Sequence, residues 1–154
     1  PFLALAAFAG LRTAEISRLD WRSVDLRRKL VTIGTDQAKK RRLRTIELTD
    51  NAVEWLLPFA GKEGKVTPGN LYPRLAALRE RAEFADWKAE KSNALRHSFG
   101  SYHFALHEDA ALTAGKLGHK ANDDQLFDHY RALCDKKDAE AYFAITPKNV
   151  GRKK

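Results

Sequence analysis

The sequence contains no methionine and a single cysteine, Cys134, among its 154 residues. One cysteine excludes a disulfide framework and any cysteine-based zinc site, and it suits a reducing, cytoplasmic setting. No apolar run is long enough to cross a bilayer, so no membrane partner is expected. The opening "PFLALAAFAG" lacks the basic lead of a secretory signal and runs straight into "LRTAEISRLDW". With no methionine and a start inside an apolar periodic segment, the chain reads as a fragment whose N-terminal part is absent. Repeats and low-complexity tracts are missing as well.

What is present describes a globular protein of one domain, 44% hydrophobic and 31% charged. The formal net charge of +8 suits a polyanion, of which nucleic acid is the commonest. The charge is concentrated in "KKRRLR" (39–44) and "GRKK" (151–154), whereas "EDAA" and "NDD" are acidic. A cluster on one hairpin points to a phosphate-facing patch more than to a generally solvated surface.

Periodicity gives the organisation. Residues 2–9 read as a helix end broken by Gly10, and Thr13 can cap a second helix, "AEISRLDW", with Ile16 and Leu19 on one face. The alternating, β-branched runs "KLVTIGT" and "RLRTIEL" predict an antiparallel pair at about 29–34 and 43–48. Thr49 or Asp50 caps a helix through "AVEWLLPFA", and a short third strand is expected near "KVT". Further helices start around Tyr72 with Pro73 in the first turn, after Ser92, over "EDAALTAGKLG" to Gly118, and around 123–131 and 136–145. The fold class is α+β, mainly α-helical, with a small antiparallel sheet.

Taken singly, the polar residues have plain explanations. Arg12 precedes Glu15 by three, a helix-face pair worth a few tenths of a kcal/mol. Arg96 lies beside the apolar stripe Leu95, Phe99 and Tyr102, with Asn93 and Gly100 on its own face. A snorkelling arginine and a ligand-facing one fit that pattern about equally. His119 follows Gly118 at a helix end, where the dipole favours a cation. His103 and His107 have the spacing of a metal pair, but without further ligands a solvated helix face is the better reading. Lys39 and Lys40 at a hairpin tip can guard strand edges, and Tyr130, between Phe127 and Leu133, can be a core aromatic.

Their order carries more than any one of them. "GLRTAEISRL", a basic hairpin, "LRHSFGSY", "LGH" and then a tyrosine resemble the catalytic domain of the tyrosine recombinase (phage integrase) family, over about residues 3–147. The resemblance implies a helical catalytic domain of the DNA breaking-rejoining type at 1–147, followed by a basic tail at 148–154. It also implies that a separate helical domain clamps the opposite face of the DNA. The implied function is site-specific recombination through a 3′-phosphotyrosyl intermediate, without metal, ATP or cofactor. Its partner would be double-stranded DNA, bound by a protein that is monomeric alone and tetrameric on its site. Tyr130 matches the nucleophile, Arg12 and Arg96 the arginines that grip the scissile phosphate, and His119 the histidine that bonds it. Lys39, or Lys40 since hairpin length varies, matches the lysine that protonates the leaving 5′-oxygen. Asn93 stands where the family often has histidine; it can donate to phosphate but cannot titrate. Lys40, Arg41, Arg42 and Arg44 are further candidates for DNA contact. The spacing from His119 to Tyr130 is about two residues longer than the family's, and Tyr102 and Tyr142 are rival tyrosines. The alternative is a degenerate domain of the same fold that binds DNA without catalysis.

Overall fold

The computed structural model describes residues 1–34, 43–84, 93–119 and 134–150. Its centre is helix α1 (Phe2–Ala9), which is apolar all round and buried on nearly every side. Such a helix has no solvent face and must be surrounded by other elements. The other helices are α2 (Thr13–Arg18), α3 (Asp50–Leu56), α4 (Leu71–Arg81), α5 (Ala94–His107), α6 (Ala110–Leu117) and α7 (Lys136–Phe143). Helices α3 and α5 pack directly on α1, and α7 packs on α5.

A helix leaves its last carbonyls without partners inside the helix. At the end of α1 two of these groups, and the carbonyl of the capping Gly10, are taken by distant side chains. The Tyr142 hydroxyl donates to Ala7 O at 2.7 Å, Thr49 Oγ1 to Phe8 O at 2.9 Å, and Arg96 Nη1 to Gly10 O at 2.5 Å. The end of α1 is therefore the point to which α7, α3 and α5 are tied.

The sheet is a meander of β1 (Val24–Asp25), β2 (Leu30–Ile33) and β3 (Arg44–Glu47), antiparallel throughout, with Val31 opposite Ile46. The expected pair is found at β2 and β3. The third strand is β1, not "KVT": Lys65 makes only an isolated bridge to Asp20, flanked by Trp21 N to Gly64 O and Val66 N to Leu19 O. Two short stretches of chain touch there once and separate, so no ladder forms. The helix at Thr13 also starts and ends differently, with Arg12 as its N-cap and Leu19 already extended. Helix α3 tightens into a 3₁₀ turn at Leu57–Phe59, where Pro58 removes a donor. Asn93 immediately precedes α5 in the left-handed region, at φ 46°, a conformation asparagine tolerates better than most residues. Ser92 and the expected helix at 123–131 lie outside the described residues.

Gly10 and Gly118 close α1 and α6 at φ 64°. A Cβ on Gly10 would stand 2.5 Å from the Phe99 ring, so chain direction and packing both require glycine there. Helix α7 covers α5 with aromatics: Tyr142 stacks on Tyr102 at 4.1 Å and Phe143 meets Phe99 edge-on at 6.1 Å. Helix α7 thus packs on α5 of its own chain. The Tyr142 phenol is pushed up by burial and then by Tyr102, and its proton is held on the Ala7 carbonyl.

His103 is buried at 3% exposure, its Nδ1 2.8 Å from Thr113 Oγ1, and not on a solvated face as the sequence reading had it. Helix α6 covers it; His107, one turn on, is the exposed member of the pair. Among the described residues no group of side chains could hold a metal ion, and no helix is long and apolar enough to cross a membrane.

Two predictions follow from this packing. Gly10→Ala should lower unfolding free energy by about 2–4 kcal/mol, from left-handed strain plus overpacking against Phe99, as measured by urea denaturation. Burial, then His107 and Lys116, push the His103 imidazole down to about 4 from 6.5, against an opposing effect of Asp109. The unfolded chain therefore binds this proton more readily than the folded one. Stability from neutral His103 is complete above pH 6.5 and lost as pH falls toward about 4, amounting to about 3 kcal/mol. His103→Gln, which retains a partner for Thr113, should flatten that limb of a stability-against-pH curve.

Candidate functional site

The site residues gather where α1, α2, α5 and α6 meet. Helix α5 presents Arg96 from its first turn, 5% exposed. Burying a guanidinium costs several kcal/mol unless its N–H groups find acceptors. Arg96 Nη1 donates to Gly10 O and Nη2 to Leu117 O, both at 2.5 Å. These carbonyls lie at the C-terminal ends of α1 and α6, where helix dipoles are negative. Arg96 is thus neither a snorkelling residue nor a surface one.

Nη2 also lies 2.9 Å from His119 Nε2. A guanidinium offers only donors, so the imidazole accepts at Nε2 and carries its own proton on Nδ1. The His119 backbone N–H bonds Ala114 O at 2.9 Å, which fixes the turn after Gly118 and brings the ring back to Arg96.

Arg12 enters from the start of α2, two residues beyond the carbonyl that holds Arg96. Its Nη1 donates to Glu15 Oε1 at 3.0 Å and its backbone N–H to Glu15 Oε2 at 2.9 Å. Glu15 is 1% exposed, so the pair expected on a helix surface is built on a buried carboxylate, with Arg12 itself half-buried. The same Oε2 accepts from Arg44 Nη2, at 2.9 Å, across from β3. One carboxylate therefore holds two guanidiniums from opposite sides. Asn93 stands at the rim, exposed, with Oδ1 3.5 Å from both the backbone N–H and the hydroxyl of Thr13.

Of the residues proposed from the sequence, Arg12, Asn93, Arg96 and His119 come together. Arg44 lies beside them, while Lys39, Lys40, Arg41, Arg42 and Tyr130 lie outside the described residues. Tyr102 and Tyr142 stack on each other under α7, with the Tyr142 hydroxyl bonded to backbone. Sequence reasoning undervalued Glu15 and Arg44. The signal for Arg44 was strand alternation: on β3 it shares the inward face with Ile46 and Leu48, both buried. An arginine at an inward position needs a partner, and the only acid in the first turn of α2 is Glu15.

This helical fold, with its small antiparallel sheet, is that of the recombinase and integrase catalytic domains. Superposition gives a TM-score of 0.64 with XerA recombinase, at 19% identity over 90% of this chain and 53% of that one. The integrase of mycobacterium phage Brujita also scores 0.64, at 21% identity over 94% of this chain and 52% of that one. The integrase of transposon Tn1549, solved with circular intermediate DNA, scores 0.56 at 15% identity over 91% and 56%. The chain thus spans about half the length of each. No curated protein sequence matches it. The model of the phage integrase family matches residues 2–137, and the chain belongs to that family.

Glu15→Ala would leave the half-buried Arg12 and Arg44 facing each other across the emptied position and remove the acceptor for the Arg12 N–H. Unfolding free energy should fall by about 3–5 kcal/mol, read from denaturation midpoints at neutral pH.

Proposed function

We propose that this chain is the catalytic unit, over 1–147, of a tyrosine-type site-specific DNA recombinase. The observation that carries the reading is the contact of Arg96 with His119 and two helix-end carbonyls, beside an Arg12–Glu15–Arg44 cluster that reaches Gly118.

The chemistry suits such a corner. In strand cleavage the Tyr130 oxygen attacks phosphorus, giving up its proton to water or a neighbouring base. The bond from phosphorus to the 5′-oxygen breaks, and Lys39, or Lys40, supplies the proton that the departing 5′-hydroxyl takes up. The product is a 3′-phosphotyrosyl ester. Attack by another 5′-hydroxyl reverses the steps and releases the tyrosine, so the ester conserves the bond and neither ATP nor a metal is required. As the phosphorus becomes five-coordinate, negative charge grows on its non-bridging oxygens. Planar guanidiniums donate paired hydrogen bonds there, and preorganised donors of this type contribute about 3–4 kcal/mol each. His119 would bond the same phosphate once Nε2 carries a proton and exchanges Arg96 for a phosphate oxygen, and Asn93 at the rim donates without titrating. Double-stranded DNA is the partner, four protomers the assembly on it, and Arg41, Arg42 and the 148–154 tail add phosphate contacts. Binding of this kind weakens steeply with salt.

Covalent trapping tests the reading. A pool of randomised duplexes, each with one nick that lets the cleaved 5′ fragment diffuse away, is incubated with the protein and resolved on a denaturing gel. Wild type should give a protein–DNA adduct and Tyr130→Phe none. DNA retention without an adduct in wild type would leave a binding domain of the same fold, with Asn93→His the variant to try next.

A further inference from the structure

Arg12 does not enter the site as a free cation. Its guanidinium is 3.0 Å from a carboxylate that solvent does not reach. An ion pair on a buried carboxylate is close to electrically neutral, and a neutral pair is a poor counterion for a phosphodiester. The second guanidinium on Glu15 changes the sum: Arg12 and Arg44 carry two positive charges against one negative charge.

Three observations place Arg44 in this role. Its Nη2 is 2.9 Å from Glu15 Oε2, the oxygen that also accepts the Arg12 backbone N–H. Its guanidinium lies against the Cα of Gly118, where any Cβ would collide with Nη1 and Cζ, so it occupies the floor beneath the turn that carries His119. It also lies on the inward face of β3, above Ile46 and Leu48, held by the register of Ile33 opposite Arg44. Burial, opposed by Glu15 and reinforced by Arg12, lowers its pKa, as expected for a cation drawn into such a cluster.

We infer that Arg44 is a positioning residue of this site: by sharing Glu15 it restores the positive charge that the acid would otherwise cancel on Arg12. The inference rests on the recombinase reading above. Glu15 is required to orient Arg12 through its backbone and side chain, and Arg44 is required because Glu15 is an acid. The Cβ-free surface of Gly118 is what admits the guanidinium.

The test uses charge-selective variants with a substrate of altered charge. The duplex recovered by wild-type adduct formation is remade with a methylphosphonate at the cleaved position, which removes the negative charge from the reacting phosphorus group. Arg44→Gln retains a donor for Glu15 but no charge; Arg44→Lys retains the charge. With the normal phosphodiester, Arg44→Gln should slow adduct formation about 100-fold and Arg44→Lys less than about 10-fold. With the methylphosphonate the Gln deficit should shrink to less than about 10-fold, because no charge remains to be balanced. Thermal melting of both variants accompanies the rates. An Arg44→Gln deficit equal on both substrates would mean that the residue only supports the fold, and would overturn the inference. A Gln variant as fast as wild type would overturn it too. Should Gln unfold, a deficit in Lys that persists on the methylphosphonate has the same force. Absence of any adduct in wild type is a different failure, since it overturns the recombinase reading itself.

Discussion

The structure depends on one buried cation at the meeting point of two helix ends. Arg96 bonds Gly10 O at the end of α1 and Leu117 O at the end of α6, the negative poles of both helices. Without a cation there, two sets of carbonyls would face one another in the interior with unmet hydrogen-bonding capacity. With one, the same groups offset the desolvation of the guanidinium. Phe99, one turn along α5, fills the apolar space beside it against Gly10 and Leu117. Charge and packing are thus supplied by the same helix at adjacent positions.

A second consequence concerns electrostatics. A corner proposed to receive phosphate must be positive, yet its arginines need acceptors to hold still. The two arginines solve this differently. Arg96 is held by neutral carbonyls, which orient it without cancelling its charge. Arg12 is held by Glu15, which orients it and does cancel its charge, and that is why the inward Arg44 belongs to the same structural unit. His119 completes the corner by accepting from Arg96 through the one nitrogen that lacks a proton.

Much of this was legible in the sequence, for identifiable reasons. The antiparallel pair showed as alternation of β-branched residues, and Gly118 announced the end of α6 because only glycine readily takes its left-handed φ of 64°. The family followed from the order of short motifs, and the fold with it. Contacts set by tertiary structure were less legible. The Arg44–Glu15 bond joins residues 29 apart, and nothing in either local segment names the other. The burial of His103 depends on how α6 folds back over α5, which helix periodicity does not reveal. The two-residue β1 is too short for any alternation to show. The single bridge of Lys65 looked like a strand because "KVT" has strand-like composition, although its neighbours offer no second pair of hydrogen bonds.

The end of α1 shows why the fold and the proposed chemistry share residues. Its carbonyls at Ala7, Phe8 and Gly10 are taken by Tyr142, Thr49 and Arg96, which come from three separate elements 41 to 135 residues away. Any of these helices could drift if its anchor were apolar, because an apolar contact tolerates sliding. A hydrogen bond to one particular carbonyl does not, since its strength falls steeply with distance and angle. The site at the corner thus inherits its geometry from backbone groups that α1 could not satisfy within itself. The helix at the centre of the core is also the reference to which the side chains of the proposed site are aligned, and a small change in how α1 ends would be felt at Arg12 and Arg96 together.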